Sequence, residues 1–207
     1  MLFRSGDRQW SAALDAAERL VWLSPDDQAV RQRALDLAME AARAAASPSV
    51  ALPQWRRAVA LSPRHQEARE GLLGALVATR EHPAALALAR EILAQHPGAR
   101  PALALLAEDA FTTGGLDASW DWVQQMLGEA SGHVEFLARW VRLAIADGQV
   151  ERAGTVVAAL EASAPSLVSL VRARIAAEGG DWSEARRQIA PLLENRDPQA
   201  LALVADW

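Results

Sequence analysis

Small side chains return in this chain every 34 residues: Ala51, Ala85, Ser119 and Ala153 form an unbroken series. Pro63, Pro97 and Pro165 keep the same interval or a multiple of it, and Ser131 fills the vacant slot. A period of this length belongs to helix-turn-helix units that stack on copies of themselves. One such hairpin cannot bury its own apolar stripe. Its neighbours must cover it, so the period constrains the fold more than any local motif does.

The local signals agree. Ala and Leu dominate, β-branched runs are rare, and apolar residues recur at helical spacing with no strand-like alternation. Breakers interrupt the chain at short intervals, among them Ser24-Pro25, Ser47-Pro48, Ser62-Pro63, His96-Pro97-Gly98, Gly114-Gly115, Gly148 and Gly179-Gly180. They predict helices over 8–22, 26–46, 51–61, 66–79, 83–95, 100–112, 117–129, 133–146, 150–163, 166–178 and 183–195, with a twelfth beginning at 198. Short connections make neighbouring helices antiparallel. Asp26-Asp27 and Asp181 stand where helix N-termini favour acids, and Asp117 and Ser166 are candidate N-caps.

The second helix of each hairpin resembles that of a tetratricopeptide repeat. The matching residues are Trp10, Ala13, Ala17, Leu20 and Pro25; then Ala51, Trp55, Ala58 and Pro63; then Ala85, Ala89, Ile92 and Pro97. They continue with Gly114, Leu116, Ser119, Val123 and Met126; Gly148, Val150, Ala153, Val157, Leu160 and Pro165; and Gly180, Trp182, Ala185, Ile189 and Leu192. The resemblance implies an all-α fold, a right-handed α-α superhelix of about six helix-turn-helix repeats. It implies that the slot of Ala13, Ala51, Ala85, Ser119, Ala153 and Ala185 lies where paired helices approach most closely. The aromatic slot should fill the gap to the next hairpin, placing Trp10, Trp55 and Trp182 in the core, and Trp140 faces the packing side of its helix. Pro25 and Pro63 are 38 residues apart, which predicts a four-residue insertion near Ser47-Pro48-Ser49. The sixth unit runs about two residues short.

Composition narrows the function classes. All 21 basic residues are arginine, against 26 acids, for a net charge of −5 with the signs interspersed. No basic patch of the kind that nucleic acid requires is visible, so no nucleic-acid partner is expected. With no cysteine, thiol catalysis and cysteine-ligated metals are excluded. No stretch approaches the roughly 20 apolar residues of a membrane span. His65, His82, His96 and His133 stand at predicted helix boundaries without partners at metal-binding spacing. No nucleophile elbow or phosphate-binding loop is present. The chain is therefore read as non-enzymatic, with no catalytic residue, cofactor or metal.

In the family the resemblance names, the first helix of each hairpin lines a concave groove that holds partner segments. Carried over by position, the groove residues here are Glu67, Glu70, Gly74, Ala104, Glu108, Phe111, Glu135, Ala138, Arg142, Ile145 and Arg172. The Lys/Asn/Arg set by which some members clamp a chain-terminal carboxylate is absent. Four glutamates predict a groove that begins acidic and takes a basic or mixed-charge protein or peptide segment; an ordinary solvated face is the competing reading. Trp120 and Trp122 project about 200° apart on one helix, so at least one should be partly exposed. They are candidate aromatic anchors, or else pack on the neighbouring hairpin.

Leu2-Phe3-Arg4-Ser5 is what the adapter sequence CTCTTCCGATCT encodes, so residues 1–5 are read as a non-native scar. Residues 6–207 are read as a bacterial repeat fragment truncated at both ends, from the cytoplasm or the periplasm. The expected function is an interaction scaffold that binds a partner segment in its groove. The alternative is the regulatory or assembly segment of a larger bacterial enzyme or envelope machine, such as a glycosyltransferase or an exopolysaccharide system. Open terminal repeats also allow self-association, and Trp207 would be exposed for want of a following helix.

Overall fold

The computed structural model describes residues 4–205, with side chains from Trp10 onward apart from Ser11 and Leu167. Residues 1–3 of the expected scar and Trp207 lie outside the described residues. Among the described residues the chain is all-α, with eleven α-helices, one short 3-10 turn and no strand. The helices are α1 (Arg4–Leu23), α2 (Gln28–Arg43), α3 (Pro48–Leu61), α4 (Gln66–Ala78), α5 (His82–Gln95) and α6 (Arg100–Leu127). They continue as α7 (Val134–Ala146), α8 (Val150–Leu160), α9 (Pro165–Glu178), α10 (Trp182–Glu194) and α11 (Pro198–Ala205). Helix α6 breaks at Gly115, whose φ of 73° and ψ of −154° are not helical, and its two limbs are the two helices that the sequence predicts there. The chain forms two compact units that divide between Ala102 and Leu103.

Helix ends follow from local chemistry. The Asp27 carboxylate accepts from the backbone N–H groups of Ala29 and Val30 and starts α2. Asp181 accepts from Glu184 N–H at 3.0 Å, and His65 Nδ1 from Ala68 N–H at 3.3 Å. The other two expected caps are not caps. Asp117 pairs instead with Arg152 of α8. Helix α9 starts one residue before Ser166, with Pro165 in its first turn, where a missing N–H costs nothing. The turns between paired helices close with a left-handed residue: Arg80 (φ 62°), Gly148 (φ 78°) and Gly180 (φ 81°). The following N–H reaches back to the helix in each case, from Glu81 to Leu76 O, Gln149 to Ala144 O and Asp181 to Ala176 O.

Burial carries the period into the core. In the second helices, Ala51, Ala85, Ser119, Ala153 and Ala185 are buried, as are the residues four and seven places on, such as Ala89 and Ile92, or Val157 and Leu160. The first helices repeat likewise: Leu35, Arg69, Leu103 and Leu137 stand 34 apart and all are buried. Arg69 is thus an arginine in a leucine slot. It is 3% exposed, and its guanidinium donates to Gln95 Oε1 at 2.7 Å and lies 3.3 Å from Glu91 Oε2.

This register corrects three expectations. Ala13 is exposed, whereas Leu14 and Ala17 are buried, so the small slot of α1 is Ala17, itself 34 residues before Ala51. No insertion is then needed near Ser47. Helix α1 ends one turn early and α2 begins one turn early, which slides the connecting turn, and Pro25 with it, by four residues. Last, the expected aromatic positions divide: Trp55 is buried against Gly71 of the next hairpin, Trp10 is half-buried, and Trp182, on the first turn of its helix, is 47% exposed and does not fill the gap.

In the first unit, α1 packs on α2, α2 on α3, α3 on α4 and α4 on α5. Trp55 of α3 lies against Gly71 of α4, where a β-carbon would stand 2.7 Å from its ring atoms. In the second unit the chain α7 to α11 packs in sequence, and α9 also touches α7 and α11. Exposed and half-buried ion pairs join like helices of successive hairpins: Arg43 of α2 to Glu67 of α4, Arg57 of α3 to Asp15 of α1, and Arg139 of α7 to Glu108 of α6. Each contributes about 0–1 kcal/mol, so they pin orientation more than they stabilise.

Candidate functional site

The first helices of the last two hairpins, α7 and α9, lie side by side with α11 in the second unit, α9 in the middle. Their shared face carries a cavity of about 250 Å³. Ile145 of α7 and Leu170 and Val171 of α9 are buried and form its floor; Leu203 of α11 is half-buried and closes one side. Arg142 of α7 and Arg174 of α9 stand at its rim. The local cause is helical spacing. Arg142 precedes Ile145 by three residues, and Val171 precedes Arg174 by three, so each arginine sits above an apolar residue of its own helix.

Among the expected groove residues, the structure brings Arg142 and Ile145 into this cavity. Arg172 is not there. It leaves the row to pair with Glu161 at the end of α8, at 2.9 Å, and Arg174 takes the place expected of it. The shortened sixth unit is the reason: removing residues from the repeat turns the helix face, so a position carried over at 34 lands on the wrong side. Ala138 is buried within the packing of α7.

The expected acids do not form one acidic row. Glu67 is engaged by Arg43, and Glu108 by Arg139. Glu70 accepts from Gln66 Nε2 at 2.9 Å on its own helix, and Glu135 is exposed. Phe111 meets Phe136 edge to face at 6.4 Å, and the Arg139 guanidinium sits 5.5 Å from both rings. Glu108 and Phe111 are therefore parts of one Arg139-centred knot that joins α6 to α7. Two glutamates expected to give the groove its charge already have cationic partners.

The tryptophans also resolve. Trp120 is half-buried, stacked on Trp140 with ring centroids 5.3 Å apart and with the Arg152 guanidinium 5.2 Å from its own centroid. Its ring is committed to packing, so it is no free anchor. Trp122 is half-buried as well. Trp140 is 1% exposed, and its indole N–H donates to Ser119 Oγ at 2.9 Å. The hydroxyl of Ser119 in turn lies 3.0 Å from the carbonyls of Gly115 and Leu116. A serine in the small slot thus satisfies a buried indole that alanine would leave without an acceptor. Among the described residues the most exposed tryptophan is Trp22, at 81%, beside Leu20 and Leu23 at the end of α1. The chemistry that sequence reading missed is Arg174, and the signal for it was the contraction of the last full repeat.

No protein-family model matches the chain, and no curated protein matches it. Among solved structures, the human IFIT1 dimer with m7Gppp-AAAA is 16% identical, with 89% of this chain and 45% of that one covered at a TM-score of 0.42. The structure of Naa15/Naa10 bound to HypK-THB is 18% identical, with 98% of this chain and 39% of that one covered at a TM-score of 0.48. The chain spans less than half the length of either. At this level neither likeness says what the chain binds. No helix among the described residues is long and apolar enough to cross a membrane.

Proposed function

We propose that the chain is a non-enzymatic interaction scaffold that holds a mixed-charge segment of a partner protein on the face of α7, α9 and α11. The supporting observation is the cavity itself: an apolar floor set between first helices, open at the surface, with arginines at the rim. Surface hydrophobic residues scattered singly need no explanation, but a concave apolar site with convergent polar groups is where ligands bind. The surplus of acids over bases favours protein over nucleic acid as the partner class.

Site-specific photocrosslinking tests this reading. A photoreactive residue is placed at Gln199, on the cavity, and for comparison at Arg187, an exposed position on the second helix α10. Crosslinking in cells expressing the protein, followed by peptide mapping, should give one recurrent partner segment at Gln199 and none at Arg187. Equal, diffuse crosslinking at both positions would refute the assignment of the face.

A further inference from the structure

We infer that the cavity between α7, α9 and α11 is a subsite for an apolar side chain flanked by a carboxylate in the middle of a partner segment. This rests on the scaffold reading above and names the chemistry of the segment. It departs from the acidic groove expected from the sequence.

Size is the first argument. Small-molecule and cofactor pockets occupy about 300–1,000 Å³. A cavity of about 250 Å³ stands at the small end of that range and suits one or two side chains. Its floor of Ile145, Leu170, Val171 and Leu203 offers no polar atom of a side chain, so an apolar group belongs there.

Charge is the second. Among the described residues no Asp or Glu lines the cavity, whereas Arg142 and Arg174 both do. Arg139 and Arg172, the nearby arginines that flank them in sequence, are held by Glu108 and Glu161. Arg142 is exposed and has no ion-pair partner among the described residues. Among the described residues Arg174 pairs with Glu178 alone, an i,i+4 contact at 3.1 Å with both side chains about two-fifths exposed. Such a helix pair stabilises by about 0.3–0.5 kcal/mol, so an incoming carboxylate can displace it. Two guanidinium forks above an apolar floor complement a carboxylate beside an aliphatic or aromatic group, since the fork matches a carboxylate with two parallel hydrogen bonds. A single-stranded nucleic acid fits worse. It binds by stacking bases on aromatic rings along a basic groove, and among the described residues no aromatic side chain lines this cavity.

The test uses the 207-residue chain and fluorescent peptides with amidated ends, so that no terminal carboxylate is offered. One peptide alternates Leu and Glu in a Gly/Ser background; a second has Lys for Glu, a third Ala for Leu, and an oligouridylate stands for nucleic acid. Fluorescence anisotropy should show the Leu/Glu peptide binding at least about tenfold more tightly than each of the others, a difference of about 1.4 kcal/mol. The double change Arg142→Glu/Arg174→Glu should invert the preference toward the Lys peptide. Ala202→Trp, which leaves the charge alone and fills the exposed mouth of the cavity, should abolish binding with an unchanged circular dichroism spectrum. Tighter binding of the Lys peptide or the oligouridylate, binding of none, or indifference to both variants would overturn the inference. The scaffold reading fails separately: it falls only if crosslinks at Gln199 are no more specific than those at Arg187.

Discussion

Replacing Gly71 by alanine reverses a rule of helix stability. Gly71 lies inside α4, where glycine to alanine normally stabilises by about 1 kcal/mol, because alanine loses less backbone entropy. Here the new β-carbon would stand 2.7 Å from three ring atoms of Trp55, against 3.4–4 Å for ordinary contact. Trp55 is 9% exposed and fixed on α3, so its ring has little room to retreat. Overpacking of this kind costs about 1–3 kcal/mol, which exceeds the propensity gain over most of its range. The net expectation is a destabilisation of up to about 2 kcal/mol, measurable as a lowered urea midpoint at constant slope by far-UV circular dichroism. A double-mutant cycle isolates the cause. With Trp55→Leu already made, the clash is gone and Gly71→Ala should stabilise by about 1 kcal/mol, which gives a coupling of about 1–3 kcal/mol. If Gly71→Ala stabilises the parent chain, or costs the same with and without Trp55, the close approach of α3 and α4 is not what glycine serves at this position.

Other substitutions test other parts of the core. Ser119→Ala should destabilise by about 1–3 kcal/mol by leaving the buried Trp140 indole N–H without its acceptor, and should be close to neutral once Trp140 is phenylalanine; thermal unfolding reads both. Arg69→Leu places there the side chain found at Leu35, Leu103 and Leu137 and should be neutral or stabilising, because its partner Glu91 is exposed and stays solvated, whereas Arg69→Ala should cost about 2–5 kcal/mol through the cavity it opens, as chemical denaturation would show. Arg80→Gly relieves a non-glycine residue at φ 62° and should raise stability by up to about 1 kcal/mol, read as a rise of roughly 2–4 °C in Tm.

The period of 34 was legible because it is a packing rule written in residue size. Each hairpin meets its neighbours through the same few positions, so Ala51, Ala85, Ser119 and Ala153 recur in the chain and are buried in the fold. Helix positions and the Gly148 and Gly180 turns followed from breakers and backbone freedom, which act locally. Phase was harder at the ends of the series. In α1 the spacing of the proline pointed to Ala13, but burial chose Ala17, because a turn can slide along a helix without moving the core. In α9 a shortened repeat rotated the face, so Arg172 left the row and Arg174 joined it.

The sequence by itself determined an all-α chain of stacked hairpins, the positions where helices touch, and the types of residue on the first-helix face. Tertiary structure alone decided which charges remain available there. Glu67 and Glu108 are occupied by Arg43 and Arg139, while Arg142 stands open at the cavity rim. These two ion pairs join residues 24 and 31 apart, distances at which no local pattern says which acid meets which base. Composition counts charges, but only the packed helices decide which of them are already paired.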